Sequence, residues 1–438
     1  MTTTDTSPRE ALVGRRLVMA SVSRVATLII SGVPTLVAWA LISKELEASD
    51  FAGVALAISI PTVINFILPA LGARIANTAA VGSDAFHEAV ASSLRANFVA
   101  GVSLVTVTVL VAAVSDWNDL LGRSDSSSFP MDTALVSVSA VVAAWLVLVV
   151  SDRVLIAQGR TSARVWASGT TGPFTLGLTL VLLSWSHAPP WTFALPVPLA
   201  MLLASSVSVV LAVRLPELDA RRTLRMAVRH IQVTGKAASR QLTVALILTE
   251  AALALSMWVV RPMLSIRGSD QDVAAMSLAL QFAAPVLSLV AVMGQSVWPY
   301  YARYRGSLSV ISLSKHAFAF AAMTAVLALG YVLAVAAAEE LSLIGQEIGI
   351  SVLSAMGLYI VCQGMWQPVR IAFSSDSASL GLAFIVCATS LAGIALLWVV
   401  TASGAWQPLV VLAGVLVVDA ALSIVLLIRR LADPPGVP

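Results

Sequence analysis

The stretch Ala134-Leu-Val-Ser-Val-Ser-Ala-Val-Val-Ala-Ala-Trp-Leu-Val-Leu-Val-Val150 decides the fold. It carries no charge, and its polar and apolar residues do not alternate along its length. A strand crossing a bilayer alternates and is about ten residues long, whereas a helix needs about 20 mostly apolar residues. The stretch therefore reads as one membrane-spanning helix. Similar runs recur along the chain, separated by short charged connectors. Of the 438 residues, 58% are hydrophobic and only 11% charged, with a mean hydropathy of +0.92. A soluble domain has about 25% charged residues to cover its core. Here there are too few. The expected class is an all-α integral membrane protein of about twelve transmembrane helices. They are predicted at 19–42, 51–72, 97–115, 132–151, 165–186, 195–213, 241–264, 273–297, 317–338, 348–372, 378–400 and 408–428. The first run, with Ala38-Trp-Ala40 near its end, is too long for a secretion-signal core and reads as a retained helix.

Orientation follows from where the cations fall, because cytoplasmic loops are enriched in Lys and Arg. With the N-terminus inside, alternate connectors hold 21 of the 26 basic residues, from Arg9, Arg15 and Arg16 to Arg429 and Arg430. The other connectors hold Lys44, Arg123, Arg261 and Arg267 and are acidic instead, with Glu45, Glu47, Asp50, Asp116 and Asp270 among their acids. Moving one helix would scramble this partition. Both termini are therefore expected in the cytoplasm, in a multi-pass membrane protein.

The longest basic connector divides the chain into three parts: 1–213 as an N-terminal six-helix bundle, 214–240 as a basic cytoplasmic linker, and 241–438 as a C-terminal six-helix bundle. In the linker Leu224, Val228 and Ile231 share a helical face among Arg221, Arg222, Arg225 and Arg229. This pattern suits either a helix lying on anionic lipid or a plain positive-inside linker. A short repeat accompanies the division. Ser23-Arg24 and Ser239-Arg240 open the first and seventh helices. The second ends Pro69-Ala-Leu-Gly-Ala-Arg74 and the eighth Pro299-Tyr-Tyr-Ala-Arg303. Parallel repeats of this size are a transporter design, with the substrate path between them.

The residues offer little for catalysis. There is no Gly-rich phosphate loop, no Gly-x-Ser-x-Gly and no His-Glu-x-x-His. Cys362 and Cys387 lie in apolar runs, and the four histidines are scattered, so neither a metal nor a cofactor is expected. Glu45, Glu47 and Asp50 form the one acidic group that suits a membrane glycosyltransferase, and it also suits an ordinary solvated turn. Charges within the spans are more informative, since each costs on the order of 3 kcal/mol at a helix centre by insertion scales. Glu250, Asp419 and Arg261 are such charges, with Arg24 a turn and a half into the first helix. The arginines can snorkel to the surface. Glu250 is too short to do so and is expected to face a hydrated cavity, a coupling ion or a cationic partner.

Several of these residues resemble the Wzx-type polysaccharide (lipid-linked oligosaccharide) flippases of the multidrug/oligosaccharidyl-lipid/polysaccharide exporter superfamily. The likeness rests on Ser23-Arg24, Lys44-Glu-Leu-Glu-Ala-Ser-Asp-Phe-Ala-Gly53, Gln158-Gly-Arg160 and Trp298-Pro-Tyr-Tyr-Ala-Arg303. It implies two six-helix bundles around a central cavity lined by basic residues. It also implies movement of a polyprenyl-(pyro)phosphate-linked glycan from the inner to the outer leaflet of a bacterial plasma membrane. By the same resemblance Arg24, Arg240, Arg74 and Arg303 are expected to contact the diphosphate. The implied partners are the lipid-linked glycan, membrane lipids and glycan-assembly enzymes, with no nucleic acid. The alternatives are a multidrug or small-molecule antiporter of the same fold, a membrane glycosyltransferase or glycan polymerase, and a membrane scaffold without transport.

Overall fold

Runs this apolar satisfy their backbone groups internally as helices, and the described runs do so. The computed structural model describes residues 8–62, 75, 83–123, 129–228, 237–303, 310–373, 379–400 and 404–432. No strand occurs among them. In chain order the helices are α1 (Pro8–Glu45), α2 (Ala48–Thr62), α3 (Ser83–Val114), the single turn α4 (Trp117–Leu120), α5 (Met131–Leu148), α6 (Val150–Ala157), α7 (Thr161–Gly169) and α8 (Thr171–Ser184). They continue as α9 (Pro196–Val213), α10 (Ala220–Val228), α11 (Ala237–Arg267), α12 (Asp270–Arg303), α13 (Val310–Glu340), α14 (Ile350–Phe373), α15 (Ser379–Val400) and α16 (Trp406–Ala432). Eight of the described helical segments are each long and apolar enough to cross a bilayer. Phe98, Val107, Phe318, Val326, Phe384 and Val399 stand more than half exposed on their sides. In water that would be a large apolar surface; against lipid chains it costs nothing.

Several helices outrun the predicted spans. α3 begins at Ser83 rather than 97 and is 32 residues long, or about 48 Å. Its first turns are amphipathic: Phe86, Ala89 and Val90 bury themselves with Val150, Val154 and Leu155 of α6 and with Ala212 and Leu215. The predicted helix at 132–151 is α5, which breaks at Val149 and continues as α6 to Ala157. Hydropathy sees only the lipid-crossing part of such helices. Packing between helices uses close approach and polar contacts. A Cβ on Gly101 of α3 would stand 3.1 Å from Ala143 of α5. Along the same seam, Asn97 Nδ2 donates to the Leu146 carbonyl at 2.7 Å, and Thr108 and Ser139 share a hydrogen bond of 3.1 Å.

The helix ends fall into two sets, an acidic end and a basic end. The acidic end holds the turns at Glu45–Ala48, Val114–Arg123, Arg267–Asp270 and Glu340–Ile350. At the basic end, α10 is strapped to the overhanging part of α3. Arg95 donates to the carbonyls of Ala227 and Met226, each at 3.1 Å. The Asp219 N–H donates to His87 Nε2 at 3.1 Å, and Arg222 pairs with Asp84 at 3.0 Å. Asp219 caps α10 by accepting from the Arg222 N–H, which holds its carboxyl below the usual range. Thr223 is buried while Leu224 and Val228 look outward, as the shared apolar face predicted; Ile231 lies outside the described residues. Losing the charge-assisted bonds of Arg95 should cost about 1.5–3 kcal/mol, enough for about tenfold or more. We therefore expect Arg95→Ala to raise proteolytic cutting of the connector in membranes by about that factor. Unchanged cutting would show that the strap holds without Arg95.

Candidate functional site

The contacts between the first and second halves of the chain follow from which helices meet. α1 and α2 pack against α12, and α2 also touches α11. Gly32 of α1 approaches Pro285 of α12 closely, with 3.3 Å between the Pro285 ring and the place a Cβ would take. Above this level toward the acidic end the contact is an apolar core. It joins Trp39, Ile42, Phe51 and Leu56 with Val260, Leu264, Val273 and Met276.

Polar clasps close that end. The loop after α4 turns at Gly122, whose φ of +68° places its backbone against Ile266 of α11. Ser265 Oγ donates to the Leu121 carbonyl at 2.7 Å. Arg123 follows, with its side chain 1% exposed. Its Nη2 donates to the Ser49 carbonyl in the first half at 2.7 Å, and its Nη1 lies 3.4 Å from Asp270 Oδ1 in the second. Burial works against the charge on Arg123, while Asp270 and Asp50 favour it. A second clasp lies at the α13–α14 turn. There Gly345 N–H donates to Ser43 Oγ at 3.1 Å, and Gln346 Nε2 donates to the carbonyls of Ser43 at 3.2 Å and Leu46 at 2.9 Å. A Cβ on Gly345 would overlap the Ser43 backbone. All of these bonds between α1–α9 and α11–α16 lie at the acidic end.

The second half has a polar interior of its own. Glu250 of α11 pairs with Arg370, in the last turn of α14; the side chains are 16% and 29% exposed. Nearby, Cys387 Sγ of α15 points to the Leu248 carbonyl at 3.8 Å. Thr389 Oγ1 donates to Asp419 Oδ1 of α16, and the other Asp419 oxygen is buried without a partner. Of the expected intramembrane charges, then, Glu250 has a cationic partner and Asp419 a hydroxyl. Arg261 is partly buried, and its Nε has no partner.

The four arginines expected at a diphosphate are less fully described. Arg24 falls within α1, Arg240 in the first turn of α11 and Arg303 at the last residue of α12. Their side chains, and Arg74 altogether, lie outside the described residues. Two side chains that make these contacts escaped sequence reasoning. Arg370 reads as an ordinary basic-connector residue, and Arg123 as a loop cation. The only signal for Arg370 is its place two residues after Pro368, inside an apolar helix. Among the described residues no three His, Cys, Asp or Glu side chains converge as a metal site. A groove of ≈ 320 Å³ lies outside this core, between α3 and α5, lined by Phe98, Gly101, Val102 and Val147 among others.

No family model matches the sequence, and no curated protein sequence matches it. Solved structures do. An inward-facing multidrug resistance MATE-family transporter of the MOP superfamily aligns over 94% of this chain and 98% of its own, at 15% identity and a TM-score of 0.65. Lipid II flippase MurJ, in an inward closed conformation, aligns over 94% of this chain and 87% of its own, at 11% identity and a TM-score of 0.67. The MATE multidrug transporter DinF-BH, in complex with a small molecule, aligns over 98% and 97%, at 15% identity and a TM-score of 0.61. The chain has the fold of the MOP-superfamily transporters. At these identities the likeness concerns the fold: about twelve spanning helices in two bundles about a central cleft. In that fold the clasps at Arg123 and Gly345 sit where the two bundles meet.

Proposed function

We propose that the protein is a flippase that carries a polyprenyl-(pyro)phosphate-linked glycan from the inner to the outer leaflet of a bacterial plasma membrane. The acidic end faces outward and both termini lie in the cytoplasm. One observation carries this reading: among the described residues, the polar clasps joining the halves are gathered at the acidic end. A transporter that must release its cargo outward needs that end closed while the cargo is captured inside. Arg24 and Arg240, with Arg74 and Arg303, capture the diphosphate near the basic end. Each guanidinium can offer a planar fork to one phosphate, a geometry Lys lacks. Glycan-assembly enzymes on either side supply and consume the cargo.

The test reconstitutes the protein in vesicles with a fluorescent lipid-linked oligosaccharide and follows its exposure on the far leaflet. Arg24→Lys keeps the charge and any anchoring role but loses the fork. It should cut flipping by about tenfold or more at unchanged membrane abundance, with Arg240→Lys weaker in effect. Normal flipping by both Lys variants would remove the capture site. A second reading, a small-molecule antiporter of the same fold, is favoured by the coverage of whole MATE-type chains where MurJ is covered less fully. Efflux of a cationic dye with no movement of the lipid-linked sugar would select it.

A further inference from the structure

The basic end of the first half holds a second set of cations, apart from those assigned to cargo capture. α6, α7 and α9 pack against one another there, on the floor made by Val150, Val154, Leu155, Ala212 and Leu215. Into this junction come Arg153 from α6 and Arg164 from α7, near enough to repel each other, with Asp152 as the acid in reach of both. Neither arginine takes part in the ion pairs within 4.0 Å among the described residues. Asp152 Oδ1 and the Ser208 hydroxyl of α9 are both buried without a hydrogen bond. The Nε atoms of Arg153 and Arg164 are likewise buried and unpartnered. Both residues keep part of their surface open. Two guanidinium groups and one carboxylate leave one positive charge in excess, in a junction of low dielectric. Such an arrangement is unfavourable until an anion joins it.

Depth selects the anion. Arg153 lies four residues before the end of α6 at Ala157, about 6 Å along the axis, and Arg164 lies in the first turn of α7. Between them is the Gln158-Gly159-Arg160 turn at the basic end, with Gly159 at φ +69°. This is the level of the phosphate layer of a leaflet, where basic pockets between spanning helices hold lipid headgroups. We propose that Arg153 and Arg164 form a binding site for the phosphate group of a membrane lipid. Asp152 sets the charge of the pocket so that a single phosphate balances it. The site stands whether or not the chain flips a glycan, because its readout is binding.

Two sources offer this phosphate: a bulk anionic phospholipid and a prenyl-diphosphate carrier. Native mass spectrometry of the purified protein, with dioleoyl-phosphatidylglycerol, farnesyl diphosphate or uncharged dioleoylglycerol added, separates them. Phosphatidylglycerol, farnesyl diphosphate or both should be retained, and dioleoylglycerol should not. Retention of the first alone assigns the phosphate to bulk lipid, and of the second alone to the carrier. Arg153→Gln and Arg164→Gln should each weaken retention by about tenfold or more, the loss of one charge-assisted contact. Arg160→Gln, an exposed cation of the same turn, should leave it unchanged. Asp152→Asn raises the positive excess and should strengthen retention, a gain that a misfolded variant would not give. Equal weakening by Arg160→Gln, no effect of either buried arginine, or weaker retention by Asp152→Asn would each overturn the site.

Discussion

Arg123→Ala should unfasten the acidic end. In a variant with Cys362 and Cys387 replaced by Ala, a cysteine at Leu46 provides the reporter. Leu46 is 7% exposed, and its carbonyl accepts from Gln346 of the other half. A membrane-impermeant maleimide added to intact cells should label it about ten times faster or more once Arg123 is gone. The magnitude follows from the pair. Removing one partner of a fully buried ion pair costs about 3–5 kcal/mol. Asp270 is 20% exposed, which lowers the cost to about 1–3 kcal/mol, and each 1.4 kcal/mol is tenfold in the closed-to-open ratio. Asp270→Asn should act in the same direction and less strongly, because Arg123 keeps its bond to the Ser49 carbonyl. Arg267→Ala removes a cation from the same end without touching a clasp, and should leave labelling unchanged. Equal labelling in all three would deny Arg123 any part in closure.

Glu250 and Arg370 should behave as one unit. Glu250→Gln leaves a guanidinium without its anion, and Arg370→Gln leaves a carboxylate without its cation. At 16% and 29% side-chain exposure, each single change should cost about 2 kcal/mol, less than for a fully sealed pair. The double variant, Glu250→Gln with Arg370→Gln, leaves no unpaired charge and should recover more than half of either loss. A coupling of about 1 kcal/mol or more, read from thermal unfolding in detergent, would establish the unit. Simple addition of the two losses would reduce the contact to two independent charges. The cycle also bears on function. If Glu250→Gln alone abolishes transport and the double variant restores it, the carboxylate serves Arg370 and carries no coupling ion itself.

Hydropathy made the spanning helices legible, because burial in lipid and burial in protein select the same residues. It failed at the ends. The first turns of α3 are amphipathic, and their apolar side faces α6 and the residues around Leu215, a contact no local pattern announces. The connector helix was legible for the opposite reason: its two faces differ so sharply that Leu224 and Val228 had to share one. The site divided in the same way. A carboxylate at Glu250 needs a partner by physical necessity, so its importance could be read from sequence. That the partner is Arg370, far along the chain, depends on how α11 and α14 are brought together. Arg123 was counted as a solvent-facing loop cation because a single sequence carries no sign that a loop will be pressed against the opposite half.

The strap that fixes α10 to α3 also sets a limit on travel. α10 ends at Val228 and α11 begins at Ala237, and nine residue steps reach at most about 30–32 Å when fully extended. While Arg95, Asp219 and Arg222 hold, that length is the leash between the two halves at the basic end. The halves can part there only as far as the leash allows, so under the proposed function the size of the largest cargo headgroup is bounded by chain length. Adding residues between Val228 and Ala237 would lengthen that reach, and removing them would shorten it, with no change to the arginines proposed to hold the cargo.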